Sequence, residues 1–221
     1  MSGCGCEVEL KDAKQKHVLY WLLGINAFMF FVEITVGLYA NSTALIADSM
    51  DMLADAIVYG IALYAVSRTL KHKANAALIS GYFQLTLGLL IIFDIVRRIV
   101  GEGEPHSWFM IGFGFVALIA NVICLVLIRK HNNGEVHMRA SWIFSANDVI
   151  ANMGVIAAGV LVMLLDSRWP DIVIGSVIAT LILRGAYLII TDAKEELSKA
   201  ESTNEKIAVV EVNQNHVLKG G

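Results

Sequence analysis

The chain has 221 residues and a formal net charge of −3, and 57% of its residues are hydrophobic, with a mean hydropathy of +0.64. A soluble domain is about 45–50% apolar even when glycine is counted, so this composition indicates a membrane protein. The basic residues are spread over short loops rather than gathered into one patch, which excludes a nucleic-acid-binding protein.

Six segments are apolar enough and long enough to cross a bilayer, since a transmembrane helix needs about 20 such residues. The connections between them are short, which favours a compact bundle of sequential neighbours. We therefore predict an all-α membrane protein with a flexible N-terminal tail (1–17), a six-helix transmembrane domain (18–191) and a short C-terminal tail (192–221). The predicted spans are 18–39, 44–66, 76–100, 108–128, 140–165 and 170–191.

Lysine and arginine are concentrated in both tails and in the second and fourth connections, and they are sparse in the other connections. By the positive-inside rule this asymmetry places both termini in the cytoplasm. We expect a multi-pass protein of the cell (inner) membrane, with the lipid bilayer as its surroundings.

The second span carries three carboxylates, Asp48, Asp51 and Asp55, spaced by three and four residues. On a helix this spacing puts them on one face. A charged side chain at the bilayer centre costs at least about 2.5–3.5 kcal/mol, so the three cannot face lipid. They must face the protein interior or a wet cavity, and they require a cation, protons or a basic partner.

Polar side chains also occur in the first and fifth spans. Glu33 lies seven residues after Asn26, on the same face of the first helix, and Asp148 lies between Asn147 and Asn152 on the fifth. Asparagine often bridges helices in membranes, so a purely structural role stands beside a functional one for each amide of the fifth span.

Two features of the third span indicate structure rather than transport chemistry. Asp94 lies four residues before Arg98, the spacing of a helical ion pair near the outer membrane interface. Gly81 and Gly88, seven residues apart, predict a close contact with another helix, which the pattern leaves open to a second protomer.

Three stretches of this chain resemble the cation diffusion facilitator family. STALIADSMDMLADAIVYGIAL is similar to the second transmembrane helix of that family, NDVIANMGVIAAGVLV to the fifth and WPDIVIGSVIATLILRGA to the sixth. The resemblance implies a six-helix, proton-coupled exporter of divalent metal with a tetrahedral site shared by helices two and five. It also implies a short member of the family, without the C-terminal cytoplasmic domain that most relatives carry.

The family's ligand pattern falls on four positions of this chain. Helix two of the family gives His or Asp followed four residues later by Asp, which matches Asp51 and Asp55. Helix five gives His and then Asp, which falls on Phe144 and Asp148. A phenylalanine cannot bind a metal, so the chain departs from the pattern at one ligand.

Several groups are candidates to replace the ligand missing at Phe144: Asn147, Asn152 or a water molecule. Asn152 lies one helical turn from Asp148 on the same face, whereas Asn147 is adjacent to it and points about 100° away. Asp48 is a further ligand or a stop along the entry path.

The predicted site offers only oxygen donors, because no histidine falls in any span. Zinc usually binds imidazole and thiolate, whereas carboxylate, carbonyl and water suit harder ions. Among the divalent metals that such a site could carry as substrate (Mn, Fe, Co, Ni, Zn or Cd), this chemistry favours manganese, iron(II), cobalt or nickel over zinc.

Metal and protons are expected to compete for these carboxyls, since burial and neighbouring like charges favour the protonated form and a divalent cation favours the ionised form. We therefore predict a secondary transporter that exchanges divalent metal for protons and is not an enzyme. The alternative is a metal-binding or accessory membrane protein that does not transport. A homodimer is expected, with contacts largely between membrane helices.

Overall fold

The computed structural model describes residues 4–65, 70–101, 103–131 and 136–219. Within these ranges the fold is entirely helical, which confirms the predicted all-α class. The six helices are α1 (Cys4–Tyr39), α2 (Thr43–Ala65), α3 (Leu70–Val100), α4 (Ser107–His131), α5 (Val136–Leu165) and α6 (Trp169–Lys219).

Five helices contain a stretch long and apolar enough to cross a membrane, in α1, α3, α4, α5 and α6. The exception among the described residues is α2, whose 23 residues span about 34 Å at about 1.5 Å per residue but include the three aspartates. Length therefore does not prevent α2 from crossing the membrane. Its acidic middle requires protein, rather than lipid, around it.

The position of α2 in the bundle meets that requirement. Among the described residues, α2 contacts each of the other five helices, most extensively α1, α3 and α6, and no other helix does so. The remaining large contacts pair α3 with α6 and α4 with α5. The acidic helix is thus the centre around which the apolar helices are packed.

The start of α2 is fixed by a carboxylate from another helix. Asp171, in the first turn of α6, accepts hydrogen bonds from the Ser42 hydroxyl (2.6 Å) and from the backbone amides of Thr43 (2.6 Å) and Ala44 (3.0 Å). Ser42 is itself the N-cap of α2, because its hydroxyl accepts a bond from the amide of Leu45 (3.2 Å). The backbone amides in the first turn of α2, which have no partner within the helix, are therefore satisfied by side chains.

A second group of bonds holds the turn between α1 and α2 against α3. Arg98 donates to the backbone carbonyl of Asn41 and, at 2.7 Å, to its side-chain oxygen. Asn41 has a positive φ of 52°, a conformation that asparagine tolerates better than most residues. Arg98 also pairs with Asp94 at 2.6 Å, which confirms the ion pair predicted from their spacing.

The two glycines of α3 lie against α6 of the same chain. A Cβ on Gly81 would come within 2.6 Å of Ile190, and one on Gly88 within 2.5 Å of Leu183. The predicted close helix contact is confirmed, and its partner is α6 rather than a second protomer. This contact brings α3 close to α6, alongside α2.

The first and last helices extend beyond the predicted membrane spans. α1 begins at Cys4, within the predicted flexible N-terminal tail (1–17), and α6 continues to Lys219, within the predicted short C-terminal tail (192–221). No glycine or proline interrupts residues 192–219, and the charged and aliphatic residues there are good helix formers, so the helix continues. The division of the chain into a membrane domain and two tails, and the cytoplasmic placement of both termini, remain predictions.

Candidate metal site

A cavity of about 360 Å³ lies between α2, α3, α5 and α6. Its acidic and amide side chains come from three different helices, and most of its remaining wall is aliphatic. The lining residues are Asp51, Asp55, Val58, Gln84, Asn147, Asp148, Leu181, Arg184, Gly185, Leu188 and Ile189.

The carboxyls of α2 and α5 meet in this cavity. Asp51 and Asp55, one turn apart, and Asp148 are all half-buried, and the carboxyls of Asp55 and Asp148 lie within hydrogen-bond distance of each other. Two carboxyls at that distance repel each other if both are ionised, so a shared proton or a bound cation stabilises the pair. The arrangement can therefore hold either species.

Four of the six residues predicted from the sequence for the metal site line the cavity: Asp51, Asp55, Asp148 and Asn147. Asn147 is exposed, as its position beside Asp148 on the helix allows. The side chain of Phe144, the position of the missing family ligand, lies outside the described residues.

The other two predicted residues, Asp48 and Asn152, do not line the cavity. Asn152 is fully buried, and its amide nitrogen donates to the backbone carbonyl of Asp148 at 2.7 Å, within its own helix. Asp48 is also buried, and its carboxyl lies within hydrogen-bond distance of Glu33 on α1. By the geometric criteria for a hydrogen bond, neither carboxyl oxygen of Glu33 has a partner among the described residues.

Sequence reasoning missed three polar residues in the cavity wall or beside its carboxyls. Gln84 of α3 and Arg184 of α6 line the cavity, and the hydroxyl of Tyr59 lies within hydrogen-bond distance of Asp55. Tyr59 could have been found, because it lies one turn after Asp55 on the same helix. Gln84 and Arg184 come from other helices, and each is a single polar residue in an apolar run, so no local pattern linked them to the acidic face.

The described residues contain no group of three or more His, Cys, Asp or Glu side chains close enough together to hold a metal ion. Asp55 and Asp148 are in contact, while Asp51 lines the same cavity without completing such a group. A bound cation would therefore have to draw these carboxyls together.

Comparison with known proteins assigns the domain. The family described as the cation efflux transmembrane domain matches residues 19–198, which is most of the chain. The chain belongs to the cation efflux family. The family resemblance inferred from helices two, five and six is thereby confirmed, as is the expectation of a multi-pass membrane protein. Membership of a family of cation efflux proteins favours a transporter over an enzyme.

The relatives of this cation efflux protein include characterised bacterial proteins of low sequence identity. One is the cadmium, cobalt and zinc/H(+)-K(+) antiporter of Bacillus subtilis, 25% identical over 217 residues, covering 91% of this chain and 68% of the relative. Another is the zinc transporter ZitB of Escherichia coli, 24% identical, covering 90% and 67%. The metal cation efflux system protein CzcD of Cupriavidus metallidurans is 20% identical, covering 86% and 64%. The chain thus spans about two thirds of the length of these relatives.

Proposed function

We propose that this cation efflux protein exports divalent transition-metal cations from the cytoplasm in exchange for protons, with Asp51, Asp55 and Asp148 as the principal ligands. One observation carries the proposal: carboxyls from α2 and α5 line a single cavity inside a membrane domain. Intramembrane carboxylates mark ion pathways and proton relays, because their burial is costly without such a use.

The donors of this cavity decide which metals should be tested. Carboxylate and amide oxygens favour manganese, iron(II), cobalt and nickel over zinc. The names of the relatives, however, include zinc, cadmium and cobalt. Metal supply and geometry often override ligand preference, so a panel of all six metals is the appropriate substrate set.

Proton exchange follows from the chemistry of the same carboxyls. A carboxylate must lose its proton to bind a metal, so metal binding releases protons and weakens as the pH falls. If the cavity opens alternately to each side, an inward proton gradient drives metal outward. The name of the Bacillus subtilis relative includes H(+), which supports an exchange of metal for protons.

The proposal is tested in proteoliposomes that report metal and pH with separate fluorescent indicators. The wild type, Asp51→Asn, Asp55→Asn and Asp148→Asn are compared, with Asp166→Asn as the matched control, because Asp166 is exposed in the turn between α5 and α6. We expect metal-dependent proton flux in the wild type and the control, and none in the three cavity variants. Flux that persists in all three variants would reject the site.

A second function is favoured by one specific observation, the lack of a preassembled group of three ligands among the described residues. A metal-binding or accessory protein would bind metal without moving it. Binding by the purified wild type, with no uptake at either of two opposite pH gradients, would establish this alternative and reject transport.

The homodimer expected from the sequence is part of the same proposal. Light scattering of the purified protein in a defined detergent measures its oligomeric state. A mass of one chain after subtraction of the detergent would remove the dimer from the proposal without affecting the metal site.

A further inference from the structure

An unpaired amide oxygen lies at the wall of the acidic cavity. Gln84 of α3 is only 8% exposed, it lines the cavity, and its side-chain oxygen is buried without a hydrogen-bond partner among the described residues. A buried acceptor left unsatisfied costs about 1–3 kcal/mol. Such an atom at the edge of a cavity implies a partner that enters the cavity from outside the protein.

The Gln84 amide packs closely against α6. A Cβ on Gly185 would come within 2.9 Å of the Gln84 side-chain nitrogen, and Gly185 is itself part of the cavity wall. Any larger residue at 185 would therefore displace the amide. The Gln84 amide therefore lies between α3 and α6, directly at the cavity wall.

We propose that the side-chain oxygen of Gln84 is a further ligand of the transported divalent cation and supplies the donor that Phe144 cannot. This inference rests on the proposed function, since it adds a ligand from α3 to the carboxyls of α2 and α5. Amide oxygens bind hard divalent cations together with carboxylates and water. The cation would thus contact three helices rather than two.

The two asparagines predicted for this role fit it less well. Asn152 does not line the cavity and already donates to the backbone of α5. Asn147 lines the cavity but is exposed, so water can satisfy its amide. The oxygen of Asn152 is also buried and unpaired, but it does not lie at the cavity. Gln84 alone among the three amides combines a buried, unpaired oxygen with a place in the cavity wall.

The test is metal binding by the purified full-length protein in nanodiscs, with dissociation constants for Mn²⁺ and Cd²⁺ measured by indicator competition. The variants are Gln84→Leu, which removes the oxygen, and Gln84→Met, which keeps the length of the side chain and substitutes a soft thioether. Asn121→Leu is the matched control, since Asn121 is a buried amide on α4 that does not line the cavity.

We expect Gln84→Leu to weaken binding of both metals at least about tenfold, because removal of even an outer-shell partner typically costs 10–100-fold. Gln84→Met should weaken Mn²⁺ binding by a similar factor and Cd²⁺ binding much less, since thioethers suit softer metals. This change in metal preference separates a ligand from a residue that only packs. The Asn121→Leu control should retain wild-type constants for both metals.

Each contrary result identifies what has failed. Wild-type constants for both metals in folded Gln84→Leu or Gln84→Met would overturn the role of Gln84, as would an equal loss in Asn121→Leu. If Gln84→Leu does not fold, Gln84→Met decides by its metal preference. If the wild type binds neither metal, or Asp55→Asn binds as tightly as the wild type, the carboxylate site itself is wrong and the Gln84 proposal falls with it.

Discussion

The three hydrogen bonds between Asp171 and the start of α2 provide a quantitative test of how the acidic helix is held. The Asp171 side chain is 1% exposed and accepts three hydrogen bonds, one from a hydroxyl and two from backbone amides. We predict that Asp171→Ala destabilises the protein by about 3–5 kcal/mol. Asp171→Asn should cost less, about 1–2 kcal/mol, because an amide oxygen still accepts one or two of the bonds.

The magnitude follows from the three bonds and their burial. A hydrogen bond to a charged group contributes about 1.5–3 kcal/mol, so three independent bonds would give about 4.5–9 kcal/mol. The bonds share one carboxylate, and the Ser42 hydroxyl remains bonded to Leu45, so the sum overestimates the loss. Loss of a helix N-cap alone costs about 1 kcal/mol, which sets the lower bound.

The assay is unfolding by SDS in mixed micelles, with helix content measured by circular dichroism. Asp166→Asn is the control for Asp171→Asn, since the same substitution is made at an exposed acid five residues earlier. A free energy of unfolding for Asp171→Ala within about 1 kcal/mol of the wild-type value would refute the reasoning. So would an equal loss in Asp166→Asn, because the effect would then not depend on the bonds to α2.

Three further predictions test the frame and the site. Arg98→Met should lower the free energy of unfolding by about 3 kcal/mol in the same assay, and Arg97→Met by less than about 1 kcal/mol. The Arg98 side chain is 9% exposed and the Arg97 side chain 59% exposed, although both pair with the same carboxylate, so equal losses would contradict this prediction. Gly175→Ala should lower the free energy of unfolding by about 1–3 kcal/mol, because the added Cβ would lie 2.6 Å from a side-chain carbon of α2 and 3.1 Å from its backbone. An unchanged unfolding midpoint would show that the two helices can move apart without loss of stability. Tyr59→Phe should weaken metal binding about tenfold or more in nanodiscs without unfolding the protein, since outer-shell bonds to a ligand have effects of this size; wild-type affinity would exclude the hydroxyl from the site.

The family and the main acidic residues could be predicted from local sequence. The spacing of Asp51 and Asp55 is a property of one helix, and a charged helix face in an apolar chain has few physical solutions. The same reasoning placed Asp48 and Asn152 in the metal site, and the structure puts both outside the cavity. Helical periodicity gives the face on which a residue lies but not which neighbouring helix covers that face at each turn.

The residues that sequence reasoning missed have a common property: their importance depends on a contact between helices distant in the sequence. Asp171 acts on residues more than 120 positions earlier in the chain, at the start of α2. Gln84 reaches the cavity because α3 packs against Gly185 of α6. Neither residue belongs to a periodic polar pattern in the linear sequence.

The membrane class, the number of helices, the family and the acidic second helix could all be predicted from the linear sequence. These properties follow from composition, from the length of apolar runs and from the 3.6-residue period of the helix. The folded chain was needed to show that α2 is central, which acids share a cavity, and that Gln84 and Arg184 also line it. The reason is physical: the bilayer constrains each helix through its own hydrophobicity, whereas the contacts between helices depend on small residues and side-chain fit that no single segment encodes.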